Sequence, residues 1–240
     1  FNEFSPKFGV LIEPTPDIQL FANYSRSAEF PGFSEVFQSV GMPPVSTLIS
    51  AIVPQTAWTA EIGTRGQIGM VSWDITAYHA TLRDELLQYT PNSTTIPAAT
   101  FSVEPTNWLR LRQIWQYSDF HFVDDGTYGN NRLPVVPLHV LRSEVRIGTA
   151  ALNVAPNLEW VPQGAFADYA NSTRTSGYAL LGLTAGATLT SGVDLFLDVR
   201  NITDKKAIGD ISAVLTANAA SAIYYPVERR AVYGGVRARF

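Results

Sequence analysis

The sequence predicts an all-β fold: the wall of an antiparallel transmembrane β-barrel, with short turns at one end and long loops at the other. Three observations predict it. Apolar and polar residues alternate with a period of two along many segments, the connections between those segments are alternately short and long, and no apolar run reaches the roughly 18 residues a membrane helix needs. Alternating segments between Phe4 and Phe240 number about eleven, each of roughly ten or more residues, as tilted strands crossing a bilayer require. Strands of soluble sandwiches are usually about half as long.

The alternation is plain in residues 18–25, where Ile18, Leu20, Ala22 and Tyr24 oppose Gln19, Asn23 and Ser25, with Phe21 the exception on the polar side. Trp58, Ala60 and Ile62 oppose Glu61 and Arg65; Leu141, Val145 and Ile147 oppose Arg142, Glu144 and Arg146. In residues 193–200, Val193, Leu195, Leu197 and Val199 oppose Asp194, Asp198 and Arg200. Turn residues (Gly, Pro, Asp, Asn, Thr) mark tight connections near 14–17, 67–69, 105–107, 148–150 and 190–192. Long connections are expected at 31–55, 90–97, 124–134, 164–175 and 205–225. If the tight turns are periplasmic and the long loops extracellular, the last strand runs downward and ends at the periplasmic face with Phe240. Between Thr90 and Trp108 only a short, weakly alternating segment, 98–104, is expected, with no room for a full crossing strand.

A hydrophobic content of 46% over 240 residues excludes disorder, and no linker-like stretch divides the chain, so 1–240 is treated as one unit. The net charge of -4 and the lack of a Lys/Arg cluster argue against nucleic acid as a partner. With Cys 0 there are no disulfides, thiolate metal sites or cysteine nucleophiles.

No metal site and no cofactor is expected. His79, His121 and His139 are too widely spaced for a helix-borne metal site, and no G-x-S-x-G elbow or nucleotide-binding loop occurs. Asp84 and Glu85 are adjacent and point to opposite faces of an extended strand, a poor general acid/base pair. No enzyme is expected. Trp58, Trp73, Trp108, Trp115 and Trp160 suit the two membrane interfaces, where amphipathic rings are favoured. Candidate ligand contacts at the outer ends and loops are Tyr24, Arg26, Phe33, Tyr89, Tyr117, His121, Tyr128 and Tyr169. Arg142, Glu144, Arg146, Asp194, Asp198, Arg200, Arg237 and Arg239 share the polar face and are expected to pair across strands or to grip whatever fills the interior. Asn92, Asn171 and Asn201 begin N-x-[ST] triplets, to which no role is given.

Several segments together resemble the C-terminal barrel region of TonB-dependent receptors over nearly the whole chain. They are residues 4–9, 21–27 and 31–35; residues 58–66 with 84–87; and the pattern N-R-L-P-x-x-P-x-H carried by Asn131, Arg132, Leu133, Pro134, Pro137 and His139. The run 199–206 with Tyr225, Pro226 and the strand 230–240 resembles the family's closing hairpin. In that strand Val232, Val236, Ala238 and the terminal Phe240 are similar to the signal read by barrel-assembly machinery.

The resemblance implies a 22-stranded barrel enclosing a plug, of which about eleven strands are present here as the C-terminal half. The plug and the N-terminal strands would lie outside this chain. It further implies a multi-pass protein of the bacterial outer membrane that imports a scarce ligand, most plausibly a ferric siderophore. Implied partners are outer-membrane lipid, the plug, the TonB energy-coupling complex and the barrel-assembly machinery. A diffusion porin and an outer-membrane hydrolase are the alternatives.

Overall fold

The computed structural model describes residues 2–30, 37–40, 46–49, 53–83, 93–190, 192–221 and 223–238. Sixteen strands follow one another with no helix among the described residues. In chain order they are β1 (Lys7–Thr15), β2 (Ile18–Glu29), β3 (Phe37–Val40), β4 (Ser46–Ile49), β5 (Gln55–Ile68), β6 (Val71–Arg83), β7 (Ser93–Thr106) and β8 (Leu109–Tyr117). They continue as β9 (Asp119–His121), β10 (His139–Gly148), β11 (Leu152–Val161), β12 (Tyr178–Thr190), β13 (Val193–Arg200), β14 (Ile208–Ile211), β15 (Tyr224–Pro226) and β16 (Ala231–Ala238).

Eleven of these form one antiparallel meander in the order β1-β2-β5-β6-β7-β8-β10-β11-β12-β13-β16, the number the alternation predicts. The short strands lie in the long connections, where β3 pairs β4 and β14 pairs β15, while β9 continues β8 along β7. The tight turns fall at 16–17, 69–70, 107–108, 149–151 and 191–192, within two residues of their expected places. Gly69 at φ 56° and Gly192 at φ 93° supply the left-handed backbone that two of these turns need.

The expected gap before Trp108 is not there. β7 runs for 14 residues and pairs β6 from Val71↔Val103 to Thr81↔Ser93. Its side chains alternate weakly, but the ladders on both sides impose the strand, so tertiary pairing overrides local pattern. Pro97, at the end of the expected 90–97 connection, falls between the β8 pairing, which ends at Ala98↔Gln116, and the β9 pairing, which begins at Thr95↔Asp119. Its missing N–H therefore costs no ladder bond on that side.

The register sorts every side chain onto one of two faces. Val10, Ala22, Ile62, Ala77 and Pro97 are successive cross-strand partners on the apolar face. At the other end of the sheet Leu183, Val199 and Val232 continue that face. Ile62 is 65% exposed and Val232 and Val236 are 64% exposed, so nothing among the described residues covers this face. Gln113 and Ser143 are polar residues on it, and they satisfy each other across the strands through a 2.5 Å hydrogen bond from the Ser143 hydroxyl. Val232, Val236 and Ala238 of the last strand stand on the same face; Phe240 and Arg239 lie outside the described residues.

Aromatic residues band the apolar face at two heights. Trp73 sits by the tight turns with Phe101 as its direct partner, and Trp108 lies within the 107–108 turn. Near the loop end, Tyr24 stacks on Trp58 at 5.0 Å, and Trp115, Tyr117 and His139 cluster, with the Trp115 indole N–H donating to His139 Nδ1 at 3.2 Å. Trp160 extends the upper band opposite Leu141. Trp58 opposes Thr81, eight residues along β6 from Trp73; at about 3.3 Å per residue and a tilt near 40°, the bands stand roughly 20 Å apart.

On the polar face direct partners bond across strands: Asn23 to Glu61 at 3.1 Å, Arg65 to Gln19 at 2.6 Å, and Arg142 to Glu159 at 2.8 Å. A second device recurs there. Phe21 lies over its partner Gly63, Phe196 over Gly235, Asn23 over Gly9 and Asn157 over Gly182, so that a large side chain fills the space a Cβ would occupy. That explains Phe21, the exception in the alternation of β2.

At Gly235 an added Cβ would meet only the Phe196 ring, at 2.6 Å. Gly235→Ala is expected to cost about 1–3 kcal/mol of stability. In a Phe196→Ala background the cost should nearly vanish, as measured by a double-mutant cycle of urea unfolding in detergent micelles.

Candidate functional site

The one packed core among the described residues lies in the loops, beyond the ends of the strands. Ala165, Ala167, Ile211 and Ala217 are buried together, with Val135, Ile208, Val214, Ile223 and Tyr224 against them. Three long connections, 118–138, 162–177 and 201–230, thus fold as one cap over the loop end of β8 to β16.

Hydrogen bonds from a few polar side chains stitch the cap. Asp168 is wholly buried, and its carboxylate accepts from the Ser172 and Ala217 amides at 2.8 Å, from the Thr173 amide at 3.3 Å and from the Ser172 hydroxyl. Burial would raise its pKa, but the Ser172 hydroxyl and the amides of Ala217, Thr173 and Ser172 outweigh it and hold the carboxyl below its usual range. Asn171, in the left-handed region at φ 55°, accepts from the Arg132 amide and donates to the Arg132 carbonyl, both at 2.8 Å. Arg132 in turn reaches Asp119 at 3.1 Å and the Ser118 carbonyl at 3.0 Å.

The N-R-L-P segment is thereby given a physical role. Asn131 donates to the Tyr169 carbonyl at 2.9 Å, the Leu133 amide donates to the Phe120 carbonyl at 2.8 Å, and Pro134 is fully buried. Val135 follows at φ 75°, a costly conformation for a β-branched residue, held by the hydrogen bond its N–H donates to the Phe166 carbonyl and by its packing on the core.

A second anchor closes the last hairpin. Buried Asn201 donates to the carbonyls of Lys205 and Glu228 and accepts from the Lys205 amide. Beside it the Arg229 guanidinium and the Arg230 amide hold the Asp204 carboxyl far below its usual range.

Of the candidate ligand residues, three lie in the connections that form the cap, and two of these meet each other. Tyr128 and Tyr169 pack ring to ring at 5.7 Å, both against buried Phe122, and remain partly exposed. His121 pairs with Arg132 in an isolated bridge and lies 3.8 Å from Asp119. Tyr24 and Tyr117 instead belong to the upper aromatic band of the apolar face, and Arg26, on that face's register, binds Glu3 and the Phe4 carbonyl, both at 2.6 Å. Their register gives them this face, because parity and not height decides which face a side chain joins. Phe33 and Tyr89 lie outside the described residues, as do Asp84 and Glu85.

Asp168, Asn171 and Asn201 were not singled out by the sequence as sites. Asn171 and Asn201 carried the only visible sign, as turn-forming residues within long loops. Asp168→Asn would place an amide donor among four donors and is expected to loosen the cap by about 1–3 kcal/mol per unmet group, seen as protease nicking near 164–175 with the strands intact. In the unmutated protein the depressed pKa stabilises the cap above the unfolded carboxylate value. That contribution is lost as pH falls through the lower folded value, so nicking should rise only well into the acid range.

Comparison with known proteins is consistent with this architecture. No curated protein matches the sequence. Among solved structures, the ferric yersiniabactin uptake receptor FyuA from Yersinia pestis superposes with a TM-score of 0.74 at 20% identity, over 98% of this chain and 37% of that one. The siderophore receptor PiuA from Acinetobacter baumannii gives 0.70 at 18% identity, over 97% of this chain and 35% of its own. The copper transporter OprC gives 0.79 at 15% identity, over 98% and 39%. The chain thus spans well under half the length of the structures it matches. At such identities these likenesses establish the fold. The family model described as TonB dependent receptor-like, beta-barrel matches residues 1–202, and with that match the chain belongs to the TonB-dependent receptor family.

Proposed function

We propose that this chain is the C-terminal half of the wall of an active importer in the bacterial outer membrane, and that its cargo is a ferric siderophore. The observation that carries the proposal is the ordered loop cap over a sheet with one uncovered apolar face and one polar face. Lipid suits the apolar face, which carries aromatic bands at two heights as the outer face of a membrane barrel does. Hydrocarbon also leaves no place for an open sheet edge, so β1 and β16 require further strands beside them. Of the solved structures named above, one is a ferric yersiniabactin uptake receptor and another a siderophore receptor, which supports iron chelates over other cargo.

Within the cap, Tyr128, Tyr169 and His121 are the residues proposed to touch ligand, with the two tyrosines offering stacking surface to a flat chelator. Asp168, Asn171 and Arg132 hold them in place. A plug inside the barrel and a periplasmic energy-coupling partner complete the importer in this proposal, since the chain carries no nucleotide-binding loop of its own.

Radiolabelled ferric siderophore uptake by cells expressing the full-length receptor tests the proposal. Saturable uptake that an uncoupler abolishes is expected. Uptake linear in concentration and indifferent to the uncoupler would instead make the protein a diffusion pore. Tyr128→Ala and Tyr169→Ala should each weaken ligand binding by about two- to tenfold, the loss of one aromatic contact, measured by titration of the purified receptor.

A further inference from the structure

We propose that Arg110, Arg112 and Arg146 form an oxyanion-binding site on the polar face near the tight turns, and that its ligand is a carboxylate. Arg110 and Arg146 are direct cross-strand partners on β8 and β10, an arrangement in which like charges repel. Arg112 stands two residues further along β8 on the same face, opposite Glu144. Three cations are thus gathered where only one nearby carboxylate is committed to them.

That carboxylate is Glu144, which meets the Arg110 guanidinium at 3.3 Å, while Arg142 takes Glu159. Among the described residues no carboxylate lies within ion-pair distance of Arg112 or Arg146, and Arg146 has only the Thr149 carbonyl at 3.4 Å. Arg110 Nε is buried with no acceptor among the described residues, a donor whose desolvation nothing there offsets. Arg110 and Arg146 line one cavity, open on the polar face beside the turns, together with Asn107 and Thr149. Glu104 is also on its wall but forms no ion pair with either arginine.

Arginine's planar fork matches the two oxygens of a carboxylate, and an incoming anion would relieve the Arg110–Arg146 repulsion while satisfying the orphaned Nε–H. The site rests on the proposal above that the polar face is the interior of a barrel. Two sources carry the same chemistry: an Asp or Glu side chain of polypeptide seated inside the barrel, or a free small carboxylate passing through it.

The test uses the full-length receptor in uncharged detergent. In one arm Arg146→p-benzoylphenylalanine is irradiated and the cross-linked peptide is mapped. In the other, citrate is titrated calorimetrically into the receptor and into the Arg110→Gln/Arg146→Gln variant. Cross-linking to an Asp- or Glu-bearing peptide outside this chain assigns the polypeptide source. Citrate binding weakened by at least about tenfold in the double variant, and partly regained in Arg110→Lys/Arg146→Lys, assigns the free anion. Citrate binding that is absent or equal in all forms, with cross-links missing or confined to peptides without acidic residues, overturns the site. The same reagent placed by Thr184→p-benzoylphenylalanine on the polar face and Val236→p-benzoylphenylalanine on the apolar face separates the two proposals. Labelling of interior polypeptide from position 236 defeats the assignment of faces, whereas labelling from position 184 but not 146, with citrate binding absent or equal in all forms, defeats the site alone.

Discussion

Everything in this protein depends on the register of one antiparallel ladder. Because side chains alternate strictly along a strand, a fixed register across eleven strands gives two continuous faces, and a slip of one residue anywhere would exchange them. The tight turns set that register from one end. At Gly69 and Gly192 the chain reverses within two residues, so neighbouring strands begin in step. The apolar row from Val10 to Pro97 and the ion pair of Arg142 with Glu159 are consequences of the same ladder, seen from opposite sides.

A sheet one strand thick has no interior of its own, so its polar face must be stabilised by contacts between neighbours. Cross-strand pairs such as Asn23 with Glu61 do this where both positions carry polar groups. Where a strand carries glycine, the partner's ring or amide lies down over it, as Phe196 does over Gly235. Both arrangements keep the wall thin and its polar face closely covered. Arg110 and Arg146 instead face each other as like charges, with Glu144 reaching Arg110 alone of the two.

Compact packing is reserved for the loops. There a few side chains that bond to backbone, Asp168, Asn171, Arg132 and Asn201, do the work a hydrophobic core does elsewhere, because small residues such as Ala165, Ala167 and Ala217 bury little area. Long connections would otherwise be the most mobile part of such a molecule. Bound together, they offer Tyr128 and Tyr169 on a fixed platform, with the N-R-L-P segment as its seam.

The sequence by itself determined the strand count, the alternation of short turns and long loops, and the identity of the two faces, since period-two patterning and turn chemistry are local properties. The five tryptophans it assigns to the membrane interfaces were divided only by the fold, Trp58, Trp115 and Trp160 toward the loop end and Trp73 and Trp108 by the tight turns. Tertiary structure alone decided the rest. β7 is a full strand because both its neighbours pair with it, which its own weak alternation could not reveal. Tyr24 and Tyr117 joined the apolar face while Tyr128 and Tyr169 joined the cap, because that division depends on register and on how three distant loops meet. Asp168 has partners 4, 5 and 49 residues away, and a bond closed across such a span leaves no periodic trace in the chain that makes it.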